Sequence, residues 1–426
     1  MEDNFKTYFK SKNIYIDSRC EDEDDIVYRL NGNELKNEDQ ESITAYDFNS
    51  LIKKEVSKFI YPFENIVVLA GAGASIVNND NGLPDEKYGH TIKMLAKAVD
   101  KVLNSTPDLF SIEQLSEICK YSIPFKKEKV NEKGETELFY NPDFILEDFL
   151  SKVLSYEEFM DEGDAKNKFI LTKDTILETI KNKTKYSFEQ GVHNHDSFIK
   201  ILSNLTKSPY RLSIVTTNYD TLFEEAADAL NFTVFDGFSF MHKPRFDVDL
   251  FDWFLVKPIS NVKSDKVEYK KSVINLLKIH GSLTWKQEKE GIIRCDKNFN
   301  QTPIMIFPSS NKYSHSYEKP YFELLSKFQD LLKMPNTLFV TTGFSFADNH
   351  IAKMITQAIK SNPSLTLLAT DFSLDDIYKN KNWSELIALM NNGYRIAFLK
   401  GTMADGLADY FGTVQYDDWS ILFFYR

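Results

Sequence analysis

Asn65-Ile-Val-Val-Leu-Ala-Gly-Ala-Gly-Ala-Ser75 decides how the rest of the chain is read. The unbroken apolar run over 66–70 is the pattern of a strand buried on both faces, as in a parallel sheet. Gly71-Ala-Gly-Ala-Ser75 then reads as a tight turn whose glycines permit close approach of backbone to a ligand. Working outward, two more loops follow apolar runs: Thr216-Thr-Asn-Tyr-Asp220 after 212–215, and His280-Gly-Ser282 after 275–279. Loops at the carboxyl ends of strands are where open α/β sheets bind nucleotides and do chemistry.

The alternation continues along the chain. Further strands are predicted over 304–307, 338–341, 365–369 and 396–399. Helices are predicted over 91–103 and on the apolar faces set by Leu222, Phe223, Ala226, Ala227 and Leu230, by Phe322, Leu325, Phe328 and Leu332, and by Ile351, Met354, Ile355 and Ile359. Strands alternating with helices imply a Rossmann-like α/β fold with a parallel sheet covered on both faces. Residues 105–205 show helical but no strong strand periodicity, and read as a large helical insertion or small second domain that sits over the nucleotide site as a wall or lid. Residues 241–270 read as a long excursion of mixed charge. Residues 1–50 read as an acidic, irregular N-terminal extension, densest in charge at Glu21-Asp-Glu-Asp-Asp25. Its aromatic residues, Phe5, Tyr8, Phe9, Tyr15 and Tyr28, imply docking either on the protein's own core or on another subunit. Residues 51–426 then form the catalytic domain around the 105–205 insertion.

Composition narrows the function. A chain of 426 residues with 42% hydrophobic and 14% aromatic residues folds around substantial cores. Net charge is −12, from 51 basic and 63 acidic residues, which disfavours autonomous DNA binding. No apolar run reaches the length of a membrane helix, and the amino terminus lacks the cationic and apolar segments of a signal peptide. Cys20, Cys119 and Cys295 lie far apart, which argues against a disulfide framework and against a four-cysteine zinc site. Together these readings place the protein in the cytoplasm.

The three loops carry complementary chemistry. Gly71 and Gly73 suit backbone N–H contact with a diphosphate, with the Ser75 hydroxyl as a further donor. Asn218 supplies a carboxamide and Asp220 a carboxylate, although both types also cap turns and helices. His280, turned outward by Gly281, suits a general base near neutral pH. The set fits cleavage of a nicotinamide–ribose bond.

Five blocks occur in the order of the sirtuin signature: Gly71-Ala-Gly-Ala-Ser75, Gly82-Leu-Pro-Asp85, Thr217-Asn-Tyr-Asp220, His280-Gly281 and Gly343-Phe-Ser345. From about residue 60 to 400 the chain resembles that family. The resemblance implies a Rossmann-type domain that holds NAD in an extended cleft. It implies Gly71, Ala72, Gly73 and Ser75 on the diphosphate and Asp85 at the wall of the nicotinamide pocket. Thr217, Asn218 and Asp220 would hold the nicotinamide ribose and carboxamide, with Asn218 and His280 catalytic. Gly343 and Ser345 would take the phosphate and adenosine side, and Asp371 the adenine ribose. The zinc module of the deacylating members is missing, and Gly82-Leu-Pro-Asp-Glu-Lys87 departs from their Gly-Ile-Pro-Asp-Phe-Arg loop. Together with Ile306-Phe-Pro-Ser309, Lys319-Pro-Tyr-Phe322 and the run Gly343–351, this resembles the sirtuin-like NADase subunits of bacterial antiphage defence systems. That branch implies NAD as substrate, hydrolysis to nicotinamide and ADP-ribose without zinc, a homo-oligomer, and a partner such as a HerA-type ATPase. ADP-ribosyl transfer, cyclisation, or a non-catalytic NAD- or ADP-ribose-sensing role are the alternatives.

Overall fold

The computed structural model describes residues 5–22, 25–61, 63–130, 136–259, 266–299, 303–304, 320–375 and 377–412. In chain order the N-terminal part contains β1 (Lys6–Ser11), β2 (Tyr15–Asp22), β3 (Asp25–Leu30), β4 (Asn33–Glu34), α1 (Ala45–Ile60) and β5 (Asn65–Ala70). The middle contains α2 (Ile92–Ser105), α3 (Ile112–Ile118), β6 (Lys126–Val130), β7 (Thr136–Tyr140), α4 (Leu146–Tyr156), α5 (Asp164–Lys183) and α6 (His195–Leu205). There follow β8 (Ser213–Thr216), α7 (Leu222–Ala229), β9 (Thr233–Phe235), β10 (Val256–Pro258), β11 (Val267–Tyr269), β12 (Val273–Lys278), β13 (Trp285–Glu288) and β14 (Gly291–Arg294). The C-terminal part adds α8 (Tyr321–Lys333), β15 (Thr337–Thr342), α9 (Asn349–Ser361), β16 (Thr366–Asp371), α10 (Lys381–Asn391) and β17 (Ile396–Lys400).

A parallel sheet in the order β17-β16-β15-β5-β8-β12-β9 forms the middle of the molecule. β5 shows why. All six of its residues are buried, and successive side chains point to opposite faces. Val67 and Leu69 join a core with Phe328 of α8, Ile355 of α9 and Leu386 of α10. Ile66, Val68 and Ala70 join the other core with Ile52 of α1, Phe198 of α6 and Phe223 of α7. The doubly wound α/β fold read from the apolar runs is thus the observed one.

A third core lies away from the sheet. Leu95 and Val99 of α2, Ile112 of α3, Phe149 of α4 and Ile176 of α5 pack together there. The segment is not purely helical: β6 and β7 pair as an antiparallel hairpin, a charged sequence with no apolar alternation to announce it. Moreover, α6 packs on the main sheet rather than in the third core.

The largest correction concerns the N-terminal residues, which are strands. β1 pairs antiparallel with β17, with Phe9 opposite Leu399, and β2, β3 and β4 extend the same sheet. Phe9, Ile16 and Tyr28 are buried, and Tyr28 stacks on Phe48 with ring centroids 4.3 Å apart. The aromatic residues therefore dock on the protein's own core. Asp17 is buried among them because Arg29 grips it through Nε at 2.9 Å and Nη2 at 2.6 Å. Within the predicted excursion, β10 and β11 form a short hairpin. Of the strand predicted over 304–307, residue 304 carries no regular structure and 305–307 lie outside the described residues, as do 306–309 and Lys319.

Candidate active site

In the main sheet β8, β12 and β9 lie on one side of β5, and β15, β16 and β17 on the other. The sheet order therefore reverses between β5 and β15, which opens a crevice above their carboxyl ends. The Gly71 and Gly343 loops meet at this switch point. Gly71 N–H donates to Thr342 O and Gly73 N–H to Gly343 O, both at 3.0 Å. A Cβ on Gly71 would stand 2.5 Å from Gly343 O, and one on Gly343 would stand 2.1 Å from Ala74 N. Gly343 also has φ +60°. The sequence reading reserved the amides of Gly71 and Gly73 for a diphosphate. In this conformation they bind protein carbonyls, and the glycines serve first to interlock two loops.

The loop after β8 is held rigidly. Asn218 donates both carboxamide hydrogens, to Gly71 O at 2.9 Å and to Ser75 Oγ at 2.8 Å. The flipped amide would set its oxygen against the Gly71 carbonyl, so the orientation is fixed by the network. What the carboxamide can offer a ligand is Oδ1, an acceptor for a water or a ribose hydroxyl. The Ser75 hydroxyl donates to Asp220 Oδ2 at 2.6 Å, rather than being held out to a phosphate. Asp220 Oδ1 accepts the Leu222 amide at 3.1 Å, at the first residue of α7.

Beneath this loop lies a residue the sequence reading missed. Lys278, 2% exposed at the end of β12, pairs with Glu224 at 2.9 Å and donates to the carbonyls of Tyr219 and Asp220. Burial raises the Glu224 pKa, with Lys278 opposing the shift. A lysine closing an apolar strand gives no local sign that it points inward.

His280 follows β12 and is 7% exposed, with Gly281 at φ +92° completing the turn. Its Nε2 lies 3.6 Å from Asp348 Oδ2. Asp348 Oδ1 meanwhile caps α9 by accepting from His350 N at 2.9 Å and Ile351 N at 3.2 Å. One carboxylate thus joins the imidazole to a helix N-terminus, and its charge favours the protonated ring once His280 has taken up a proton. The signal available in sequence was an Asp just before the apolar periodicity of α9.

A cavity of about 1200 Å³ covers these groups. Gly71, Ala72, Gly73, Ser75, Thr217, Asn218, Asp220, His280, Gly343, Ser345 and Asp371 all line it. Leu95, Leu146 and Ile180 of the helical unit form its apolar wall. Asp85 is the exception: it lies in an adjoining shallow pocket with Asn79 and Tyr88, and its carboxylate accepts the Lys87 amide at 2.9 Å. Gly82, Leu83 and Pro84 of the same loop do reach the main cavity. Burial pushes the Asp371 carboxyl up to about 6, against the pull of the Phe372 and Ser373 amides. Among the described residues no group of three or more His, Cys, Asp or Glu is arranged to hold a metal ion, and no helix is long and apolar enough to cross a membrane.

Residues 212–390 match a family model described as a SIR2-like domain. That span holds Asn218, Asp220, His280, Asp348 and Asp371, and leaves out the glycine loop that the sheet order brings to them. A solved structure described as "Structural Basis for the Mechanism and Regulation of Sir2 Enzymes" aligns over 85% of this chain and 96% of its own, at 12% identity and a TM-score of 0.36. None of the curated proteins matches the chain. The matched segment, under half of the chain, is thus similar to a SIR2-like domain and carries most of the cavity-lining residues of the Rossmann-like sheet.

Proposed function

We propose that the protein is an NAD glycohydrolase that cleaves NAD to nicotinamide and ADP-ribose. The observation that carries this reading is the pairing, on one cavity, of the locked Asn218–Ser75–Asp220 network with the His280–Asp348 couple. The bond between the nicotinamide nitrogen and the ribose breaks, its electron pair leaving with nicotinamide, and positive charge develops on the ribose. The Asp220 carboxylate favours that charge. Asn218 Oδ1 orients a water whose oxygen bonds to the ribose carbon, and His280 accepts the proton released. Pure binding needs no base at that position, which favours an enzyme over a sensor.

The test is nicotinamide release from NAD by the purified protein. His280→Ala is expected to lower the rate roughly 10²–10⁴-fold with the fold unchanged by circular dichroism. Equal rates for the variant and the wild type would refute the assignment. Product analysis separates hydrolysis from cyclisation or transfer, which share the first step.

The wider role we propose is NAD depletion in bacterial antiphage defence, in the cytoplasm, by a homo-oligomer working with a partner such as a HerA-type ATPase. An unregulated hydrolase would consume the NAD of its own cell, and this supports a controlled assembly. The helical unit, which walls the cavity, is the element best placed for that control. Mass and activity with and without the ATPase test the proposal; unchanged values for both would remove it.

A further inference from the structure

The charges beneath the loop after β8 are unevenly paired. An ammonium offers three donors and no acceptor. Lys278 directs its Nζ to the Tyr219 carbonyl at 3.4 Å, to the Asp220 carbonyl and to Glu224 Oε1 at 2.9 Å. No hydrogen is left for the Asp220 carboxylate, although the lysine holds that residue by its backbone. The carboxylate is buried, and its described partners are neutral: the Ser75 hydroxyl and the Leu222 amide. Glu224 feels both neighbours. Burial raises its carboxyl, Lys278 opposes the rise, and Asp220 adds to it. Lysine and glutamate therefore cancel one another, and the cluster keeps one negative charge, on Asp220. A buried carboxylate without a cation is costly, and a ligand that brings the cation relieves that cost. The nicotinamide ring of an oxidised dinucleotide is such a cation; the reduced ring is neutral.

We propose that Lys278 and Glu224 are a positioning pair with a second, electrostatic task. They tie down the carbonyls on either side of the Tyr219–Asp220 peptide, and by cancelling each other they leave the Asp220 charge to select the oxidised form of the dinucleotide over the reduced form. The proposal rests on the NAD reading for its ligand, but not on hydrolysis. Each member answers a separate need. Lys278 stands opposite Thr216 in the β8–β12 register, directly under the loop that begins at Thr217, and an apolar side chain there could not hold two carbonyls. A lysine without Glu224 would set a cation beside Asp220 and neutralise the charge that faces the ligand. Asp220 acts through its field, since both its oxygens already accept from the protein.

Calorimetric titration of the full chain with NAD and with NADH, in a His280→Ala background that slows turnover, tests this. The background protein is expected to prefer NAD roughly tenfold or more, the scale of one charge acting on another across a protein site. Glu224→Gln leaves the ammonium uncancelled beside Asp220, and the preference is expected to fall to about twofold or less. Lys278→Met combined with Glu224→Gln keeps the shape of the pair without either charge, and the preference is expected to return to within about twofold of the background value. With His280 in place, the same double variant is expected to turn over roughly tenfold more slowly, because the two carbonyls have lost their donor and the loop its position. A pair that served the fold alone would leave the NAD preference of Glu224→Gln at the background value, and that result would overturn the proposal. A double variant no more selective than Glu224→Gln would overturn it as well. Absence of NAD cleavage by the chain with His280, with these changes in preference present, would overturn the hydrolase reading and leave the pair standing.

Discussion

The loops after β8 and after β16 stand at the same level of one sheet and face one cavity, yet they are built on opposite principles. In the first, the Asn218 amide hydrogens, the Ser75 hydroxyl and both Asp220 oxygens are tied to protein partners and only Asn218 Oδ1 is offered to a ligand, with Lys278 beneath. In the second, the Phe372 ring beside Asp371 stands in solvent. A group that acts on a reacting atom must be held in place before the substrate arrives, since reorganisation during the reaction adds to the barrier. A surface that takes a base needs an accessible face and gains by covering it.

The comparison is broken most severely at Asn218. Asn218→Ala takes one of two donors from the Gly71 carbonyl, which keeps the Ala74 amide, and removes the donor to the Ser75 hydroxyl; we expect turnover to fall roughly 10²–10³-fold, by analogy with loss of other preorganised polar groups. Phe372→Ala is expected to raise KM for NAD about tenfold with kcat nearly unchanged. Steady-state kinetics of both variants check the contrast; a kcat effect at Phe372 as large as that at Asn218 would erase it.

The interlock between the two sides comes next. Gly343→Ala puts a Cβ against the Ala74 amide in a left-handed backbone, and about 2–4 kcal/mol of stability is expected to be lost in a urea titration. An unchanged midpoint would mean that the loops part at little cost. The smallest effect is that of pH. Asp371 has a carboxyl raised to about 6, so it is ionised above that pH and protonated below it. As pH falls through 6, the carboxylate loses its capacity as a pure acceptor, and affinity for ADP-ribose is expected to decline several-fold. Asp371→Asn should flatten this dependence. The sign for stability is opposite: a raised carboxyl pKa makes this group favour the folded state more as pH falls from about 6 toward its unfolded value.

Much of this was legible in the chain, for identifiable reasons. A strand buried on both faces needs an unbroken apolar run, and Ile66–Ala70 and its counterparts have one. The residues after those runs sit at the ends of adjacent parallel strands, so the cavity-lining set could be named before the fold was seen. Less legible were the groups whose partners are distant in sequence. Lys278 finds Glu224 and the 219–220 carbonyls only through the β8–β12 pairing. Asp348 stands beside His280 only because β15 returns next to β5. The N-terminal strands were hidden by charge: the acidic run dominated the reading, whereas Phe9, Ile16 and Tyr28 determine the pairing. Asp85 was placed at the cavity wall by its motif, but its own turn with Lys87 holds it in the adjoining pocket.

The sequence by itself determined the fold class and the chemistry available at the strand ends, because both depend on local apolar periodicity and on residue type. Only the tertiary structure decided which of those groups are engaged. The order of strands across the switch point brings the 71 and 343 loops into contact, and that contact gives the Gly71 and Gly73 amides to protein carbonyls and sets the direction in which Asn218 points. A hydrogen bond depends on distance and angle between groups far apart in the chain, and these exist only once the sheet has closed around them.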